Sequence, residues 1–329
     1  MSTTTPNFGW VVPTSSDLVK NGAVAIETLG DSIDASMVDL KGGTTGQVLS
    51  KTSNTDMDFT WTTASSAPSV NLLLNSNFAL NQRAYVSAAN LASGTYGFDR
   101  WKSNYTNTTL TFTASTQGQS LTINASGGLQ QIIEQGLVSA GTYTLSWTGT
   151  ATGRVYNSGG TPPSYAASPV TFTADGTANV VVEFTAVSTT KTLSKVQFNA
   201  GTSTAWALAT PTLQTELAAC QRYYQRYGMN ASQATPISTA FLQSTTDASA
   251  SMGLPVSMRV APTAGTSATA DVVVVWSAGT SATSNLNLDL SSPLGILFRI
   301  TTTGLTTGQA GRFQVAAGAT KFFDLTAEL

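Results

Sequence analysis

Residues 71–101, NLLLNSNFALNQRAYVSAANLASGTYGFDRW, divide the chain: the residues before them read as an attachment device and the residues after them as stacked β-structure. Leu72, Leu73 and Leu74, then Phe78 and Leu80, are interrupted by Asn71, Asn75, Asn77 and Asn81. An apolar run punctuated by turn-forming asparagines predicts a short buried strand flanked by turns. The stretch closes on Phe98, Asp99, Arg100 and Trp101, an acid and a base between two large aromatics. Neighbours on a strand face opposite ways, so Asp99 and Arg100 are each expected to meet a partner elsewhere in their domain. Phe98 and Trp101 are expected in the core, with Arg100 tying a loop to a sandwich rim.

Toward the C-terminal side, strand patterns recur at 109–113, 120–124, 129–133, 142–148, 180–186 and 192–198. In LTFTA and TYTLSW the alternation is clean, which predicts antiparallel sheets with one buried face and one face of Thr, Ser or Gln. The loop 155–169 carries Tyr156 and Tyr165 among Gly, Pro and Ser, and a loop of that length is more often functional or interfacial than idle. Thr212 then opens a helix with Leu213, Leu217, Cys220, Tyr224 and Tyr227 on one stripe. Strands are expected again at 272–276, 286–290, 295–300, 313–316 and 322–325, the first of them apolar on both faces and so central or packed between subunits.

Toward the N-terminal side, residues 1–13 read as an extended arm with Phe8 and Trp10 as anchors. A helix is expected from Ser15 or Ser16, ahead of Asp17 at the positive end of its dipole. Val19, Ile26 and Ile33 recur every seven residues and Leu29 falls in a second, weaker row with Gly22 and Ser36. Val19, Ile26, Leu29 and Ile33 therefore predict a short heptad seam, and Ile in its first row is compatible with three strands. Period-two runs at Val48–Leu49 and at Met57, Phe59 and Trp61 predict a β-hairpin, and TTASSAPS at 62–69 predicts a linker. The resulting division is an attachment segment at 1–68, a β-sandwich at 69–210 and a C-terminal β domain at 211–329. The fold class is mainly β: an N-terminal helix and hairpin, then an antiparallel β-sandwich, then a β domain introduced by a helix.

The pattern N-L-L-x-N-x-x-F-x-x-x-Q-R followed by F-D-R-W resembles the start of a β-sandwich domain found in tail fibre and minor tail proteins of tailed bacteriophages. FGWVVPTSSDLVKNGAVAIETLGDSIDASM with LKGGTTGQVLSKTSNTDMDFTW resembles the virion-proximal part of such proteins, and ELAACQRYYQRY with LPVSMRVAPT resembles the opening of the distal domain of phage fibres. The resemblance implies a structural fibre of the virion, on the tail in preference to the head, made in the cytoplasm of a bacterial host. It also implies a homotrimer joined to other virion proteins through residues 1–61. Sandwiches of this kind also serve as carbohydrate-binding modules, which implies adhesion to host-surface glycan. A purely structural connector or a capsid-mounted fibre is the alternative, and a polysaccharide depolymerase a lesser one.

Composition narrows the chemistry. The chain of 329 residues has no His, one Cys, 10% charged residues and a net charge of −2. Without His, a Ser-His-Asp or Cys-His device and His-based zinc sites are absent. Cys220 is expected to be a small buried hydrophobe. The sandwich acids are Asp99, Glu134, Asp175 and Glu183, none in a recognisable cleft motif, and Asp56 with Asp58 is far short of a calcium loop. No phosphate loop, dinucleotide glycine pattern or basic stripe is present. The expectation is a non-enzyme with no cofactor, no metal and no nucleic-acid partner. No basic region followed by an apolar run opens the chain, and no apolar run approaches the roughly 20 residues a bilayer needs, so neither signal-directed secretion nor membrane insertion is expected. Tyr156, Tyr165 and Trp206 are the candidates for stacking on sugar rings, without a binding site being assigned.

Overall fold

A computed structural model describes residues 2–63 and 70–329. Most of the expected 62–69 linker lies outside the described residues. The chain forms two compact units, Met1–Ala67 and Pro68–Leu329. Among the described residues no helix is long and apolar enough to cross a membrane.

In the first unit the arm folds back on itself instead of staying extended. Thr3–Thr4 pairs antiparallel with Val11–Val12 around a turn in which Gly9 takes φ +67°, and Phe8 stacks on Trp10 with ring centres 4.9 Å apart. The helix begins later than its capping residues suggest. Thr14 and Asp17 close a turn on each other, with Thr14 N donating to Asp17 Oδ2 at 2.8 Å, so the chain enters a 3-10 turn at Val19–Asn21 and an α-helix only at Gly22–Met37. Val19 thus precedes the α-helix and is 95% exposed, Ile26 is 66% exposed, and Leu29 and Ile33 are half-buried. Trp10 Nε1 donates to Ser36 Oγ at 3.1 Å, fastening the hairpin to the helix. Gln47–Lys51 and Phe59–Thr63 form the expected second hairpin.

The second unit opens with a sandwich. One sheet runs Val170–Ala174, Gly141–Thr148, Lys191–Ala200, Leu121–Ile123, Thr108–Thr111, Asn90–Leu91, and the other runs Thr152–Asn157, Val180–Thr185, Gly128–Ile133, Lys102–Ser103. Inward residues alternate along each strand, as the half-buried pattern requires: Leu145, Leu193 and Phe198 meet Val180, Val182 and Phe184 in one core.

The decisive stretch is not a strand. Residues 71–80 are turns and irregular backbone, and Asn75 and Phe78 take φ of 51° and 58°. Asparagine side chains substitute for ladder bonds here. Asn71 Nδ2 donates to Val196 O at 2.8 Å, and its Oδ1 accepts from Phe198 N at 3.0 Å. Asn75 Oδ1 accepts from Leu80 N at 2.9 Å. Leu73, Phe78, Phe98 and Trp101 plug the sandwich and are fully buried.

Thr212 caps the helix Leu213–Gln221 with a capping box closed by Thr215, but Tyr224 and Tyr227 lie on a strand, Tyr224–Gly228, instead of on the helix. Pairing with Phe322–Thr326 overrides the helical spacing, because it places Tyr227 beside Phe323. A seven-stranded sheet, Gly279–Ala282, Val272–Trp276, Ala310–Val315, Thr235–Leu242, Asp247–Gly253, Gly295–Thr301, Asn285–Ser292, completes the domain over a core centred on Phe298, Phe313 and Phe323. The valine-rich strand is interior, as its two apolar faces require.

The sandwich and this domain are joined by buried charge. Asp99 pairs with Arg83 and accepts from Gln82, while Arg100 pairs with Glu328, 228 residues away, and donates to Ile132 O at 2.6 Å. Asp99 and Arg100 find separate ionic partners, but only that of Asp99 lies in the sandwich: Arg100 is a buried bolt across the seam to the C-terminal domain, 2% exposed, and not a rim contact. Its guanidinium also lies 3.6 Å over the Tyr223 ring.

Candidate functional site

On the outer face of the four-stranded sheet, strand register lines up four polar side chains. Arg154 is opposite Glu183, Glu183 is opposite Gln130, and Gln130 is opposite Lys102. Directly opposed residues share a face, so the row crosses the whole sheet. Along TGRVYN the alternation that turns Val155 into the core turns Arg154 and Tyr156 outward.

Glu183 is the hub. It is buried and accepts from Arg154 Nε at 2.6 Å, Tyr156 Oη at 2.9 Å and Tyr165 Oη at 3.2 Å. The long loop delivers Tyr165 because Ala166 bridges back to Gly153, with Gly153 N donating to Ala166 O at 2.8 Å. Arg154 lies 4.2 Å over the Tyr165 ring. Burial, reinforced by the Glu183 carboxylate, pushes the Tyr156 phenol up to about 12, and burial raises Tyr165 as well. Both phenols therefore stay protonated and keep donating to Glu183.

Asn104 and Tyr105 complete the depression, of ≈ 360 Å³, that this row borders. They can lie against the sheet because residue 128 is glycine: a Cβ there would meet Asn104 Oδ1 at 2.5 Å and Tyr105 Cδ2 at 2.6 Å. Asn104 Oδ1 is buried and has no hydrogen-bond partner. A buried acceptor left without a donor is costly unless a ligand or water supplies one. Arg154 and Gln130, both with hydrogens to donate, line the same depression. Such an arrangement can donate to and accept from hydroxyl groups, and it offers phenol rings beside them.

Of the three aromatics expected from the sequence, Tyr156 and Tyr165 converge on Glu183. Trp206 lies elsewhere, donating to Ser76 Oγ at 3.1 Å and lining an apolar depression with Val70, Leu208 and Pro211. Lys102, Asn104, Tyr105, Gln130 and Arg154 escaped sequence reasoning, and Glu183 figured there only as one of four dispersed acids. The alternation in TGRVYN and a lone acid in the apolar run VVVEFT were the available signals.

All four sandwich acids are held. Asp99 is paired with Arg83, Glu134 accepts from Tyr223 and Arg222, Asp175 accepts from Thr177 N at 2.7 Å, and Glu183 is occupied as above. Asp58 accepts from Ser53, and among the described residues no group of three or more His, Cys, Asp or Glu side chains could hold a metal ion. Cys220 is buried, and burial pushes its thiol well above the ordinary value, which leaves it inert at neutral pH.

No protein-family profile and no curated protein matches the chain. Among solved structures it is similar to the N-terminal CBM22-1-CBM22-2 tandem domain of Xyn10C from Paenibacillus barcinonensis, at 11% identity and a TM-score of 0.21, over 74% of this chain and 97% of that one. It is also similar to a cycloisomaltooligosaccharide glucanotransferase of a Paenibacillus species complexed with cycloisomaltoheptaose, at 8% identity and a TM-score of 0.19, over 75% of this chain and 47% of that one. At those TM-scores neither likeness carries weight for function.

Proposed function

We propose that the protein is a homotrimeric fibre of a tailed-bacteriophage particle that holds host-surface glycan without cleaving it. Residues 1–61 attach it to other virion proteins, and the outer face of the four-stranded sandwich sheet meets the sugar. The observation that carries the sugar-binding part is the Arg154–Glu183–Gln130–Lys102 row beside Asn104 Oδ1, a buried acceptor with no donor of its own. Sugar hydroxyls donate and accept at one atom, so they suit a depression whose lining includes both an orphan acceptor and the donors Lys102, Gln130 and Arg154. The resemblance of the 71–101 stretch and of the N- and C-terminal segments to phage fibre proteins supports the particle assignment. The engagement of every sandwich carboxylate in structural bonds supports binding over hydrolysis, which needs two carboxyls free to act on one bond. Trimeric display raises the effective concentration of the second and third contacts once the first has formed, so weak sites suffice.

The full-length protein should bind cells of the phage's host and their extracted surface polysaccharide, and should compete with whole phage for adsorption. Gln130→Ala should weaken both at unchanged thermal stability. Polysaccharide shortened during incubation would make the protein a depolymerase. Absence of binding and competition would favour the structural connector.

A further inference from the structure

We infer that the ligand is an internal stretch of a glycan chain, seated in a groove that continues from the Glu183 row past Gly94 into the seam between the sandwich and the C-terminal domain. This inference rests on the adhesion reading and specifies what that site recognises. The depression at Asn104 and Gln130 and a second one of ≈ 450 Å³, lined by Arg83, Tyr85, Tyr96, Tyr224 and Arg226, share Gly94 as a common wall residue. Gly94 has φ +80°, its N donates to Ser103 O at 2.8 Å, and a Cβ built there meets nothing within 4 Å. At Gly94 itself the divide between the two depressions therefore carries no side chain. Lys102 Nζ and Tyr96 Oη, one from each depression, both donate to Leu329 O at 2.7 Å, which fixes the two walls to one point.

Each depression is lined by a residue with a buried polar atom that the protein leaves unpaired, and the two are of opposite kind. Asn104 Oδ1 is an acceptor and Arg226 Nε a donor. The other Arg226 nitrogens are occupied, with NH1 on Arg83 O at 2.7 Å and NH2 on Asp324 Oδ2 at 3.1 Å, so Nε alone awaits a partner. A chain of hydroxylated rings can satisfy both ends at once, whereas a single terminal sugar reaches one. Aromatic rings recur at both ends as well, with arginine stacked on Tyr165 in the first and on Tyr224 and Tyr96 in the second. Tyr105 and Tyr165 line the first depression, and in the second Arg83 lies 3.6 Å over Tyr224 and 4.8 Å over Tyr96. Each space taken alone is already at the small-molecule end of pocket sizes.

The test starts from an array of bacterial surface polysaccharides probed with the full-length protein, followed by calorimetric titration with length-graded fragments of a polysaccharide that binds. Affinity should rise about tenfold or more, roughly 1.4 kcal/mol, from the single sugar to the shortest fragment that spans both depressions, and then level off. Gly94→Asn, a residue that tolerates positive φ, should cost the longer fragments their advantage over the short ones, so that affinity no longer rises with length. Arg226→Lys should lower only long-fragment affinity, and circular dichroism should report the native fold in both variants. Equal affinity for the single sugar and the long fragments, or a length dependence untouched by Gly94→Asn, overturns the groove while leaving adhesion standing. No binding to any polysaccharide of the array overturns adhesion itself.

Discussion

Glu134 lies at the seam and shows how a single carboxylate couples the two halves of the larger unit. Burial alone would raise its pKa, but hydrogen bonds from Tyr223 and Arg222 outweigh burial and hold it below the usual carboxylate range. A depressed pKa means that the folded state binds this proton less readily than the unfolded chain does. Its stabilisation is therefore present above the ordinary Glu value of about 4.3 and is lost as pH falls through the lower folded value. Glu134→Gln should cost about 1 kcal/mol at pH 7, a Tm drop of about 2–4 °C in a unit of this size, for a partly exposed pair. Scanning calorimetry should find the wild-type and variant Tm values converging as pH falls through the depressed folded pKa, because the wild-type side chain is then neutral too. A constant gap down to acid pH would assign the loss to packing. Residues of this sort were invisible in the sequence: nothing near Glu134 announces Arg222 or Tyr223, which arrive from 88 and 89 positions away.

Strands were readable wherever one face meets the core and the other water, as in TYTLSW, because period-two alternation is a local record of burial. The reading failed where side chains replace main-chain partners. Asn71 and Asn75 make the contacts a ladder would make, so an apolar run with asparagine punctuation became a buried plug of turns. It failed again at Tyr224 and Tyr227, whose spacing fits a helix while their partners, 322–326, lie far along the chain. The Arg154–Glu183–Gln130–Lys102 row was hidden for a related reason: it is contiguous only across four strands, one residue from each. The sharpest test at this scale is the crossing between sheets. Gly149 links Gly141–Thr148 to Thr152–Asn157 at φ +131°, and a Cβ there would meet Thr192 O at 2.2 Å. Thr192 O already accepts from Thr150 N and Ala151 N at 3.0 Å, so it cannot withdraw cheaply. Gly149→Ala should cost about 3 kcal/mol, from positive φ and the clash together, read as a lower urea midpoint at unchanged m-value.

At the level of the whole molecule, the row of Val19, Ile26, Leu29 and Ile33 has burial to gain from association. Val19 and Ile26 are largely exposed, and Val24 is 64% exposed beside them. We expect light scattering of the purified protein to report three times the 34.1 kDa chain mass, with Ile26→Asp and Ile33→Asp together shifting it to the monomer. A wild-type monomer that persists at high concentration would sink the seam. The bolt formed by Arg100 and Glu328 has a different consequence, one of timing. The two residues are 228 positions apart, so a ribosome adding about 5–20 residues per second delivers Glu328 roughly 10–45 s after Arg100. Throughout that interval a nascent sandwich carries a guanidinium whose carboxylate does not yet exist. That corner stays open to water until the last residues arrive, and closing the seam becomes a late step of biosynthesis.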